Sequence, residues 1–186
     1  GEILSEEHTR HLLGAPPTGD SFALAEDSAQ VMSAEMFRQF CVPYSRALFE
    51  RYGRRERGVH MCGDSTHLHQ ALREELGMTS FILFGYPVPP AVAARNLAGV
   101  QLWGNLNPML LKDGTPAQVK AAAQACLTAL APKGGFVLGD GANICPGTPL
   151  SSFQAVMAAA EEYGLPGVER AVLIDMGGPG SSTTAM

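Results

Sequence analysis

The sequence predicts an α/β fold of about five parallel β/α units, a doubly wound sheet or a partial (β/α)8 barrel. Three observations predict it. Short apolar runs alternate with helical patterns along the chain, polar residues of chemical interest gather where those runs end, and no G-x-G-x-x-G or P-loop marks the nucleotide-binding alternative.

A polar, turn-rich lead, residues 1–19, contains Pro16, Pro17 and Gly19. Ser21 to Ala25 reads as a short buried strand. Ser33 then caps a helix that carries Met36, Phe37, Phe40, Tyr44, Leu48 and Phe49 at helical spacing and stops at Gly53. Gly58 to Cys62 is the second strand, and a helix from Ser65 to Leu76 follows, closed by Gly77. Ser80 to Phe84 is the third strand, trailed by proline-rich turns and a short helix over residues 91–97. Val100 to Gly104 is the fourth. Thr115 and Pro116 open an alanine-rich helix to Leu130, since threonine at the cap and proline at the first helical position both favour a start. Gly135 to Gly139 is the fifth strand, and Pro149 leads into a last helix ending at Tyr163 and Gly164. The expected division is a lead (1–19), a barrel part (20–164) and a flexible tail (165–186).

Composition narrows the function. A chain of 186 residues, 46% hydrophobic and 17% charged, is ordinary for one globular domain. With a net charge of −5 and its Lys and Arg scattered, it offers no basic patch for nucleic acid. No apolar run reaches the roughly 20 residues a membrane helix needs. The first residues have neither the basic region nor the apolar core of a secretory signal, so the expected compartment is cytoplasmic and the cysteines reduced. A full barrel takes about 250 residues; the barrel reading therefore implies an amino-terminal half-barrel partner, or self-association that covers the open edges.

The polar residues at strand ends are Asp27 after the first, His60 and Cys62 at the second, Tyr86 after the third, Asn105 and Asn107 after the fourth, and Asp140, Asn143 and Cys145 after the fifth. In parallel β/α architectures those ends share the face on which active sites form. His60 and Cys62, two apart on a strand, project to one side, and nitrogen and sulfur donors pointing together suit zinc. Cys145, in a loop of the same sheet, can converge on them and leave a fourth tetrahedral position for substrate. Against this, a lone His-x-Cys is a weak signal, and a buried cysteine is usually a small hydrophobe. Cys41 and Cys126 lie in helical patterns and read as core. His67 and His69, on the helix after the motif, read as surface residues, although His67 is near enough to approach the site.

Several runs carry a resemblance: Glu26-Asp27-Ser28, Ser33 to Phe37, Pro43-Tyr44, His60-Met61-Cys62-Gly63, Gly104 to Pro108 with Leu111, Gly114-Thr115-Pro116, and the stretch Gly135 to Pro149. In order and spacing they resemble the uroporphyrinogen decarboxylase superfamily over residues 20–164, which implies a partial (β/α)8 barrel, the carboxy-terminal half of that family's fold. His-x-Cys-Gly with a later cysteine looks like its cobamide-dependent methyltransferase branch. The resemblance implies zinc held by His60, Cys62 and Cys145, with Asp140, Asn143 and Tyr86 as candidates to orient a ligand. It also implies a methylated corrinoid carried by a partner protein, and a thiol or other small molecule as methyl acceptor. No catalytic side chain beyond these metal ligands is assigned. One departure is that relatives often carry an acidic residue after the third strand, where this chain has Phe84-Gly85-Tyr86. Two other readings stand beside it: a decarboxylase acting on a tetrapyrrole, and a non-catalytic half-barrel that binds corrinoid or a partner.

Overall fold

The computed structural model describes residues 2–164. The tail over 165–186, expected to be flexible, lies outside the described residues.

Five strands form one parallel sheet in sequence order: β1 (Ser21–Ala25), β2 (Glu56–Met61), β3 (Ser80–Phe84), β4 (Gln101–Leu106) and β5 (Phe136–Asp140). The sheet is open, with β1 and β5 at its edges. Its connections carry helices α2 (Ala34–Phe40), α3 (Val42–Tyr52), α4 (Pro90–Asn96), α5 (Pro108–Asp113) and α6 (Pro116–Leu130), and α7 (Leu150–Tyr163) follows β5. This is the predicted α/β architecture, part of a (β/α)8 barrel.

One face of the sheet makes the core. Val59, Met61, Phe81, Phe84 and Leu102 pack with Phe37, Phe49, Leu68 and Leu72 from the connecting helices. Each such side chain, fully buried, contributes about 1.5–3 kcal/mol. A second cluster joins Leu106 to Val119, Ala123 and Leu127 of α6 and to Val156 and Ala159 of α7. Alternation along the strands sends Ala23, His60, Ile82 and Trp103 to the opposite face.

β3 breaks that alternation. Phe81 and Phe84, three apart, both reach the helix-side core. A β-bulge explains it: β2 pairs His60 with Ile82 but Met61 with Phe84, so Leu83 is an extra residue, with φ of 49°.

Several helices differ from expectation. The lead is not mere turn. It holds α1 (Glu2–Leu12), with Arg10 paired to Glu6 one turn earlier at 2.6 Å, Arg51 of α3 paired to Glu7, and the Arg10 guanidinium 4.7 Å from the centre of the Tyr52 ring. The long helix expected after Ser33 is two, α2 and α3, because Pro43 has no N–H for the ladder at the junction. Of the apolar residues at helical spacing, Phe37, Leu48 and Phe49 are buried, whereas Met36, Phe40 and Tyr44 are exposed. The segment after β2 is not a regular α-helix. It runs through a 3₁₀ turn, Thr66–Leu68, into a π-helical turn, Ala71–Glu75, closed by Leu76 N–H donating to Ala71 O at 3.1 Å. The changed winding carries His69 into the core at 1% exposure, correcting its reading as a surface residue, while His67 stays outside. Thr115 caps α6 as the sequence predicts, and Gln118 completes a reciprocal capping box with it.

Candidate metal centre

The carboxyl ends of β1 and β2 bring three donors together. The two strands pair in register to Ala25 and His60, so Asp27, just past β1, lies beside Cys62, just past β2. Cys62 backbone N–H donates to Asp27 Oδ1 at 2.8 Å, Cys62 Sγ is 3.0 Å from His60 Nε2, and Asp27 Oδ2 is 3.6 Å from the same nitrogen. The donor atoms of Asp27, His60 and Cys62 all lie within 4.8 Å of one another. Asp27 was missed as a site residue in the sequence. Its position after the first strand was visible, but not which strand β1 would pair with.

The imidazole is oriented from behind. His60 Nδ1 is 3.2 Å from Ile82 O, the carbonyl immediately before the bulged Leu83. With its proton on Nδ1, donating to that carbonyl, His60 presents the Nε2 lone pair to Cys62 and Asp27. A backbone carbonyl on the far nitrogen is the usual support of a metal-binding histidine.

Charge in the cluster is unbalanced. The Cys62 thiol is pushed up to about 11, first by burial, then by the charge of Asp27 and a hydrogen bond to it, then by the charge of Asp140. Burial likewise raises the Asp140 carboxyl above its ordinary range, opposed by the Ala142 backbone N–H and by the nearby His60. Two carboxylates therefore face a thiol and an imidazole, a set whose missing charge is positive. The donor distances also suit a cation. Tetrahedral zinc, with bonds of about 2.0–2.3 Å, spaces its donors about 3.3–3.8 Å apart, so His60 and Cys62 need open only slightly to fit one.

The remaining sequence candidates lie around this trio. Cys145 is half-buried in the irregular loop between β5 and α7 and does not join the 4.8 Å cluster. Its thiol donates instead to Met109 Sδ at 3.8 Å, and its carbonyl accepts from Thr148. Asn143, in the same loop, is exposed. Tyr86 is 43% exposed, and its backbone N–H donates to Gly141 O at 3.3 Å. Asn105 is structural: its amide donates to Val88 O at 2.7 Å and Gly85 O at 3.3 Å, holding the turn after β3. Asn107 caps α5. Cys126 is buried as expected, and Cys41 is half-buried against Met32.

Two glycines let the loops stack at this end. A Cβ on Gly85 would meet Cys62 O at 2.3 Å and Gly63 O at 2.2 Å, and one on Gly141 would meet Tyr86 N at 2.5 Å. The backbones after β2, β3 and β5 touch in a way only glycine permits.

A family model described as uroporphyrinogen decarboxylase (URO-D) matches residues 18–163. Among solved structures, a methyltransferase from Methanosarcina mazei superposes with a TM-score of 0.66 and 23% sequence identity, over 87% of this chain and 46% of that one. The chain therefore spans less than half the length of that structural neighbour, and the likeness is one of fold. No curated protein matches the sequence.

Proposed function

The chain belongs to the uroporphyrinogen decarboxylase family, and from that premise we propose that it is the zinc-binding part of a methyltransferase. The reaction moves a methyl group between a methylated corrinoid, carried by a partner protein, and a thiol or similar small acceptor. The observation that carries the proposal is the meeting of His60 Nε2 and Cys62 Sγ at 3.0 Å, at the strand ends where β/α enzymes do their chemistry. The structural neighbour, itself a methyltransferase, supports it by fold.

When bound, zinc supplies the positive charge that holds an entering thiol as thiolate at neutral pH, and the corrinoid supplies an activated methyl carbon. The protein does the rest. His60 is kept in one tautomer by Ile82 O, so its Nε2 faces the site. Asp27 takes the Cys62 backbone N–H and fixes the turn that carries the thiol. Cys145 sits on a loop without regular structure, outside the three-donor cluster, and in this reading it moves inward to add a second sulfur. Asp140 is a half-buried carboxyl whose pKa burial raises, so its ionised form is a better acceptor for the proton an acceptor thiol gives up. The site opens at a sheet that covers about half a barrel, so corrinoid and acceptor also contact an amino-terminal half.

The test is demethylation of methylcobalamin by the full chain, with zinc, against a panel of thiols including coenzyme M. We expect thiol-dependent loss of the methylcobalamin absorbance, abolished by a chelator and by Cys62→Ser. Porphyrinogen turnover that ignores chelators would favour the decarboxylase reading instead. Binding to a corrinoid protein without any turnover would mark a non-catalytic subunit.

A further inference from the structure

Asp27 is placed for more than a turn. Its two oxygens are divided between two tasks: Oδ1 accepts the Cys62 backbone N–H at 2.8 Å, while Oδ2 faces His60 Nε2 at 3.6 Å. That second spacing is within a few tenths of an ångström of what two oxygen or nitrogen donors on one tetrahedral ion show. The hydrogen bond on Oδ1 aligns the carboxylate so that Oδ2 is presented on the same side as Nε2 and Sγ. Among the described residues, the metal-capable group that the fold assembles unaided is Asp27, His60 and Cys62, without Cys145. A mixed oxygen, nitrogen and sulfur set suits a borderline divalent cation such as zinc or cobalt(II), and is too soft for calcium or magnesium.

We propose that Asp27 is a protein ligand of the cation, so that Asp27, His60 and Cys62 form a preassembled three-donor site that Cys145 joins only afterwards. The assignment rests on the metal-centre reading above. It replaces an expected sulfur with a carboxylate from the neighbouring strand end, and it makes the β1–β2 pairing the element that builds the site. A carboxylate in place of a second thiolate also leaves the ion more electron-poor, and therefore a stronger Lewis acid toward an entering thiol.

The probe is cobalt(II), titrated into the metal-free full chain and followed by its thiolate charge-transfer and visible d–d absorption. The variants are Asp27→Asn, Cys62→Ser and Cys145→Ser. Asparagine can still accept the Cys62 N–H through its amide oxygen, so Asp27→Asn removes the charged donor while keeping the turn. We expect Asp27→Asn to weaken cobalt binding more than about a hundredfold, beyond the 10–100-fold that loss of a mere outer-shell partner costs. We expect its melting temperature in chelator to match the parent's, and Cys145→Ser to weaken binding less than Asp27→Asn does. Equal cobalt affinity in Asp27→Asn and parent overturns the assignment and leaves the metal centre standing on other ligands. A loss in Cys145→Ser as deep as in Cys62→Ser, with Asp27→Asn unaffected, overturns it in favour of two sulfurs. Absence of cobalt binding by the parent chain overturns the metal centre itself, and the assignment with it.

Discussion

A proton added to His69 has nowhere favourable to go. The ring is 1% exposed, edge-on to Phe81, with Ser65 Oγ 3.3 Å from one nitrogen and Asn96 Nδ2 3.4 Å from the other. Burial lowers its pKa to about 4 from the ordinary 6.5. As pH falls, the unfolded chain takes the proton first, so the stability that neutral His69 provides is present above 6.5 and lost as pH drops toward 4. The full loss is about 3 kcal/mol. Urea unfolding at pH 7 and pH 4.5 should show this fall, and His69→Leu, although less stable at pH 7, should fall less. A parallel fall in both proteins would remove His69 as the cause. His60 and Cys62 were legible in the sequence because the strand period of two places them together whatever surrounds them. His69 was not, because the 3₁₀ turn at Thr66–Leu68 just before it changes the winding and the sequence spacing no longer tells which face a residue takes. Asp27 was legible as a strand-end carboxylate but not as a neighbour of Cys62, since that depends on which strands pair.

Elements with their own chemical signals could be read, and those without could not. The start of α6 is written in Thr115, Pro116 and Gln118. Replacing Thr115 by alanine should cost about 1 kcal/mol in a thermal melt, the usual worth of such a cap; a change near zero would mean that packing against α7 alone sets the helix start. The lead helix was hidden because Pro16, Pro17 and Gly19 dominate the segment, while what secures the helix, Arg51 and Tyr52, lies far along the chain. The bulge in β3 left no mark either, since Leu83 is an ordinary strand residue. At the turn after β3, Gly85→Ala drives a methyl into the carbonyls of Cys62 and Gly63. We expect a loss of about 1–3 kcal/mol from overpacking, together with weaker metal binding, because the carbonyls that must move belong to the turn carrying the thiol. Unchanged stability and unchanged cobalt affinity would show that the turn yields without cost.

The order β1 to β5 was readable at the scale of the whole molecule, because alternating strands and helices leave a parallel sheet few topologies. How it ends was not. Both edge strands lack a neighbour among the described residues, and Leu12 and Leu13 of the lead lie exposed. An open parallel edge and apolar surface favour association. Light scattering should find the 19.6 kDa chain heavier than a monomer at micromolar concentration, and co-expression with the amino-terminal half of a family barrel should give a defined heterodimer that melts higher. A monomer at every concentration, indifferent to that half, would contradict this. The site is itself a product of strand pairing, since its donors come from the ends of β1 and β2. X-ray absorption at the zinc edge of the folded chain tests it most directly. The account predicts about one zinc per chain in a mixed shell, with sulfur at about 2.3 Å and nitrogen or oxygen at about 2.0–2.1 Å, the sulfur component falling in Cys62→Ser. A folded chain that holds no zinc, or holds it in an all-oxygen shell unaltered by Cys62→Ser, would contradict it.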